Sequence, residues 1–90
     1  MVSKGERMLT YKEANALVEK RYKNSHVSLT MDLGKKFIIA LEPNNLKKGT
    51  TSLDSFFSVD KQFGIVKEYS PVMDPEEFKK ALKSVVYRAK

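Results

Sequence analysis

The chain has 90 residues, of which 41% are hydrophobic and 31% are charged, and this is the size and composition of one small globular domain. It contains no cysteine, which excludes disulfides, thiol catalysis and cysteine-ligated zinc, and which fits a cytoplasmic protein. No apolar run approaches the roughly 18 residues of a membrane helix, so no membrane partner is expected. The net charge of +6 is interpreted first as a soluble lysine-rich surface, with an acidic partner or nucleic acid as the alternative.

The first predicted element is a helix that follows a polar leader. Residues 1–7 begin Met-Val-Ser-Lys-Gly-Glu, which resembles the leader of engineered green fluorescent proteins, so they are interpreted as a leader or an expression scar. The single domain then spans residues 8–90. Thr10 and Glu13 have the spacing of a capping box and predict a helix from about Tyr11 to Tyr22.

Two strands are predicted after this helix. Apolar and polar residues alternate strictly from position 27 to 33, which is typical of a half-buried strand with one apolar face. Gly34 and Lys35 provide a short turn, and residues 36–42 return as a second strand. On that strand Phe37, Ile39 and Leu41 are expected to face the core, which leaves Ile38 on the opposite face. The apolar residues of the first strand are Val27, Leu29, Met31 and Leu33.

A second hairpin and a terminal helix complete the predicted fold. Residues 43–52 form a loop, and strands at 53–59 and 65–69 flank a turn closed by Gly64. Asp74, Pro75 and Glu77 carry the signals of a helix start. Apolar residues at helical spacing continue this helix to the end of the chain, where Arg88 and Lys90 complement the helix dipole. These apolar residues are Phe78, Ala81, Leu82, Val85 and Val86.

The element order predicts an α+β fold, a four-stranded antiparallel β-meander flanked by N- and C-terminal helices (α-β-β-β-β-α). Because both faces of the strands carry apolar residues, two arrangements remain open. Either each helix covers one face of the sheet, or one face is left to contact a partner.

The sequence predicts no enzyme. His26 is the only histidine, and no motif pairs it with a nucleophile. The carboxylates are spread over turns and helix starts and match no metal-binding pattern, and the glycines form no phosphate-binding loop. We therefore expect no catalytic residues, no metal and no cofactor.

The favoured interpretation is a small non-enzymatic binding protein that acts through protein–protein contacts. Phe56 and Ile38 are predicted on the sheet face that points away from the core, and Phe63 lies in the turn of the second hairpin, where polar residues are usual. These three residues are the candidate protein-binding site. The partner would be an acidic protein, steered by the lysines, or a second copy of the chain.

The alternative is a basic nucleic-acid-binding accessory protein. In such proteins aromatic rings stack on bases and lysines contact phosphates. Phe56 and Tyr69 are the candidate stacking residues of the sheet. The candidate phosphate contacts are Lys35, Lys36, Lys47, Lys48 and Lys67.

The segment Phe57-Ser58-Val59-Asp60-Lys61-Gln62-Phe63-Gly64-Ile65-Val66 resembles the closing hairpin of PepSY-type domains. It is also similar to the end of small immunity-type domains of bacterial toxin systems. Phe63 stands where these hairpins usually have a small polar residue, and the helix from Pro75 is additional to the minimal PepSY unit. The resemblance implies a non-catalytic inhibitor or immunity-type module of bacterial or phage origin.

Overall fold

A computed structural model describes residues 8–44 and 55–89 of the chain, and it shows an α+β fold. Across these ranges two helices and a five-stranded, entirely antiparallel sheet are present, with the strand order β4-β3-β2-β1-β5. The elements are α1 (Tyr11–Arg21), β1 (Ser25–Asp32), β2 (Lys36–Pro43), β3 (Ser55–Asp60), β4 (Val66–Tyr69), α2 (Pro75–Leu82) and β5 (Val85–Arg88).

The starts of both helices confirm the capping signals. Thr10 Oγ1 accepts a hydrogen bond from Glu13 N at 3.2 Å, and Thr10 N donates to Glu13 Oε1 at 2.9 Å, which completes the capping box of α1. Asp74 Oδ1 accepts from Glu77 N at 3.0 Å at the start of α2. Neither of these described helices is long and apolar enough to cross a membrane.

The terminal helix is shorter than predicted, because the chain forms a fifth strand after it. The helix ends at Leu82, and Val85–Arg88 pair antiparallel with β1. Backbone bonds from Asp32 N to Ser84 O and from Ala89 N to Ser28 O, both 2.9 Å, hold the ends of this pairing. The residues Val85, Val86 and Tyr87 are β-branched or aromatic and favour a strand, and their pairing satisfies backbone groups along β1. The predicted helical positions of Val85 and Val86, and the helix-dipole role of Arg88, are therefore wrong, while Lys90 lies outside the described residues.

A β-bulge in the first strand changes which of its residues share a face. Val27 pairs with Leu41, but Leu29 pairs with the adjacent Ala40, so the register shifts by one residue at Ser28. Val27 packs with α1, whereas Leu29 and Met31 lie on the opposite face. The prediction that these residues share one apolar face is wrong.

The two helices cover opposite faces of the sheet. The α1 side includes the predicted core positions Phe37, Ile39 and Leu41, which confirms that part of the pattern. Thr30 is buried on this face and donates to Asn15 Oδ1 at 2.5 Å, so its hydroxyl has a partner. The complete buried cluster under α1 is Ala14, Val18, Val27, Phe37, Ile39, Leu41, Phe57 and Val59.

The sheet face under α2 is the face on which the sequence predicts contact with a partner. Ile38, Met31 and Ala81 are buried together there. Phe78 of α2 lies edge-on to Phe56, with ring centroids 5.3 Å apart. Each helix therefore covers one face, which is the first of the two arrangements considered above.

Candidate functional site

The turn between β3 and β4, residues 61–64, presents the most exposed aromatic side chain among the described residues, and we refer to it as the tip. Gly64 adopts φ +71°, and its N–H donates to Asp60 O at 2.8 Å. Asp60 Oδ2 accepts from Phe63 N at 2.6 Å. These bonds fix the backbone on both sides of Phe63 and direct its side chain outward, where it is 73% exposed.

The tip is also tied to the rest of the domain. Lys61 O accepts from Leu9 N at 2.9 Å, and Lys61 N donates to Lys35 O at 3.3 Å. Lys61 Nζ donates to Asp32 Oδ1 at 2.6 Å and lies 4.6 Å from the ring centroid of Phe37. These contacts therefore hold the tip to the rest of the domain.

The Asp32 carboxylate supports the tip through its ion pair with Lys61. Burial alone would raise the pKa of Asp32, but the hydrogen bonds from Lys61 Nζ and Gly34 N outweigh burial and hold that pKa below its ordinary value of 3.8. The carboxylate is thus ionised at neutral pH and holds Lys61 at the base of the tip.

A shallow groove of about 300 Å³ lies beside Phe63, and we refer to it as the tip groove. Phe63 and Ile65 provide its apolar part, and Ile65 is 50% exposed. Lysine, serine and aspartate side chains provide the rest of its lining. The complete lining is Lys36, Ser58, Asp60, Phe63, Ile65 and Lys67.

One side of the tip groove is connected to α2 by a polar network. Lys36 Nζ lies 3.5 Å from Glu77 Oε2 and 5.5 Å from the ring centroid of Tyr69. The Tyr69 hydroxyl donates to Glu77 Oε1 at 3.0 Å. Burial and this bond to a carboxylate raise the pKa of Tyr69 to about 12. The network holds α2 against the sheet, so Lys36 has a structural contact as well as a place in the groove.

The structure separates the three candidate protein-binding residues. Phe63 is exposed, as the sequence predicted for a tip residue. Ile38 is 0% exposed beneath α2, so it cannot contact a partner in the folded monomer, and its assignment to the binding surface is corrected. Phe56 is partly buried against Phe78 and contributes to the interior under α2.

The predicted phosphate contacts fall partly on the same surface as Phe63. Lys36 and Lys67 line the tip groove, and Lys35 adjoins the tip through its backbone contact with Lys61. Lys47 and Lys48 lie outside the described residues. The two functional interpretations therefore share one surface.

The predicted stacking residues do not form an open platform. Phe78 covers both of them, at centroid distances of 5.3 Å from Phe56 and 6.5 Å from Tyr69. Phe63 is left as the exposed ring beside the lysines of the groove.

A second exposed apolar pair, not identified from the sequence, lies between β4 and α2. Val72 is 81% exposed and Met73 is 82% exposed. Met73 directly precedes the N-cap Asp74, which is the position from which an apolar residue often packs onto the following helix. Its exposure shows that this contact does not form. The sequence signal for this exposed pair is its position between Pro71 and the N-cap residue Asp74.

His26, the only histidine of the sequence, contacts two polar side chains. Both ring nitrogens of His26 contact acceptor oxygens, with Nδ1 at 2.8 Å from Asn44 Oδ1 and Nε2 at 3.2 Å from Glu42 Oε1. Neither nitrogen is directed at a hydroxyl nucleophile. In the ranges 8–44 and 55–89 no three His, Asp or Glu side chains are grouped so that they could hold a metal ion.

No protein-family model, no curated protein and no solved structure matches this chain. The likeness of the β3–β4 hairpin to PepSY-type and immunity-type domains therefore remains a prediction. The candidate site is defined by its own geometry, an exposed aromatic ring on an ordered tip beside a basic groove.

Proposed function

We propose that the protein is a non-enzymatic binding module whose main contact with a protein partner is Phe63. The observation that carries this proposal is the combination of a 73% exposed phenylalanine with a backbone held by hydrogen bonds on both sides. An exposed aromatic ring contributes little to folding, and aromatic rings are among the side chains that dominate protein interfaces.

The order of the tip favours tight binding. A loop that is ordered only on association loses conformational entropy at that moment, which weakens affinity. Here Asp60, Lys61 and Gly64 already have the contacts that define the loop. Ile65 extends the apolar contact beyond Phe63.

The most concrete form of this function is inhibition by masking. A module with an ordered apolar tip can cover a partner's active or binding surface without any chemistry of its own. The hairpin's resemblance to immunity-type domains supports this form and a bacterial or phage origin, and the lack of cysteine fits a cytoplasmic location. Surrounding lysines would favour an acidic partner.

Nucleic-acid binding is the second candidate, because the exposed Lys67 lines the groove beside Phe63 and the exposed Lys35 lies in the turn whose backbone contacts Lys61. It has less support, since Phe78 covers the other two candidate stacking rings. Titration of a labelled single-stranded oligonucleotide at low salt tests it. Binding that falls steeply with salt would favour this candidate, and no binding would remove it.

The experiment for the protein-binding proposal is site-specific photo-crosslinking. The photoreactive residue p-benzoylphenylalanine replaces Phe63 in one variant and Met73 in a matched control, because both side chains are exposed and apolar. Each variant is irradiated in lysate of the source organism and the adducts are identified by mass spectrometry.

We expect one dominant protein adduct from position 63 and none of that species from position 73. An adduct of about twice the 10.3 kDa chain mass would identify a second copy as the partner. Equal, diffuse crosslinking from both positions would contradict a specific role for the tip.

A further inference from the structure

We propose that the tip groove receives an extended acidic segment of the partner, which pairs with the outer edge of β4. This inference rests on the proposed function and adds the chemistry of the partner. Its basis is the charge of the groove together with the position of β4 at the edge of the sheet.

The positive charges at the groove are not fully neutralised. Lys67 is exposed, and no ion pair joins it to another residue that the structure describes. Lys35 is also exposed, in the neighbouring turn, and no ion pair joins it to another described residue. Lys80, also exposed, lies three residues after Glu77 on α2, and this spacing places it on the same side of the helix.

Three carboxylates near the groove, in contrast, are already engaged. Asp60 accepts from the backbone of Phe63, Glu77 accepts from Tyr69 and contacts Lys36, and Asp32 binds Lys61. Because Lys67 and Lys35 have no ion-pair partner in the described ranges, the groove attracts carboxylates more strongly than ammonium groups, and this charge complementarity selects an acidic segment.

The backbone of β4 supplies the second half of the site. β4 is an outer strand, and its pairing partner within the described ranges is β3 alone. Ile65 O accepts from Asp60 N at 3.1 Å and so points toward β3. In an antiparallel ladder the backbone groups of alternate residues point the other way, which directs those of Val66 and Glu68 to the open edge. An added strand can bind such groups.

The side chains that line the groove define a sequence preference. Ile65 and Lys67 are two residues apart and both line the groove, so they lie on one face of the strand. A segment paired with β4 would place its own residues with the same period. We therefore expect an acidic residue opposite Lys67 and an apolar residue, two positions away, against Ile65 and Phe63.

A displayed library of random peptides of about a dozen residues tests this preference without a known partner. The library is selected on the wild-type protein after depletion on the Phe63→Ala variant. The enriched peptides are synthesised with a fluorescent label, and their affinities are measured by fluorescence polarisation. Lys67→Glu is compared with Lys12→Glu, an exposed lysine of α1, and Phe63→Ala with Met73→Ala.

We expect enriched peptides with net negative charge and an acidic and an apolar residue separated by one position. Affinity should fall at least about tenfold for Lys67→Glu and for Phe63→Ala, and change less than about twofold for the two control variants. Binding should also weaken in about 0.5 M salt. Circular dichroism of each variant verifies that it remains folded.

Several outcomes would overturn the inference. These are failure to enrich peptides, enrichment without acidic bias, or equal loss in the test and control variants. Binding of a single-stranded oligonucleotide that is lost in the same two variants would assign the groove to nucleic acid instead. If crosslinking at position 63 succeeds while the selected peptides lack acidic residues, the proposed function stands and only the acidic segment is refuted.

Discussion

Substitution of Ile38 by alanine should destabilise the protein far more than substitution of Phe63, although the sequence predicts both on one binding surface. Ile38 is 0% exposed between the sheet and α2, and removal of a buried isoleucine side chain costs about 2–5 kcal/mol, partly because a cavity remains. Phe63 is 73% exposed, so about a quarter of it is covered. Full burial of such a side chain contributes about 1.5–3 kcal/mol, which leaves about 0.4–0.8 kcal/mol at this position.

Equilibrium unfolding in urea, followed by circular dichroism, measures both values. The expected loss for Ile38→Ala is a large part of the roughly 5–15 kcal/mol that stabilises a typical domain, and its unfolding midpoint should fall accordingly. A loss below about 1 kcal/mol for Ile38→Ala would show that α2 does not cover this residue. A loss above about 2 kcal/mol for Phe63→Ala would show that the ring is packed in the domain and not presented to a partner.

Four further substitutions test the support of the tip and of α2. Gly64→Ala and Gly34→Ala should each lose about 1–2 kcal/mol in urea unfolding, because both positions have positive φ. Only Gly64→Ala should also weaken binding at the tip, because its added Cβ would lie 3.3 Å from Leu17 Cδ1, whereas a Cβ at position 34 would meet nothing within 4 Å. Equal binding by both variants would contradict this. The stability advantage of the wild type over Asp32→Asn should be fully present at neutral pH and disappear as the pH falls through the lowered pKa of Asp32, below 3.8. A difference that stays constant across this acid range would refute the role of the ionised carboxylate. In an ultraviolet titration one of the four tyrosines should ionise near pH 12, and Tyr69→Phe should abolish that step; its persistence would assign it to another tyrosine.

The local signals of the sequence located most of the described elements. The polar caps at Thr10 and Asp74, and the positive φ of Gly34 and Gly64, depend on residues close in sequence. Such signals act over a few residues, so they can be recognised without knowledge of the tertiary fold.

The errors arose where distant residues decide the structure. Val85 and Val86 fit the apolar stripe of a helix as well as they fit a strand, and pairing with β1 decides between the two. The bulge at Ser28 leaves the alternating pattern intact while it reverses the face of every later residue. The burial of Ile38 depends on where α2 crosses the sheet, which no local pattern specifies.

The sequence indicates some residues of the candidate site but not how they are brought together. Phe63 was identified because an aromatic residue is unusual in a hairpin turn. Its association with Lys36 and Lys67 follows from the register of β2, β3 and β4, in which Lys36 pairs with Asp60 and Ser58 pairs with Lys67. That register brings together lysines that are more than 30 residues apart in sequence along one groove, and it could not be read from either strand alone.

The affinity for the protein captured through position 63 tests the central claim most directly. Isothermal titration calorimetry would compare the wild type with Phe63→Ala and with Met73→Ala, whose exposed side chain lies outside the tip groove. If Phe63 is the main contact, its truncation should weaken binding at least about 30-fold, equivalent to about 2 kcal/mol, while Met73→Ala stays within about twofold of the wild type. Equal affinities for the two variants would contradict the claim that this protein acts through its tip.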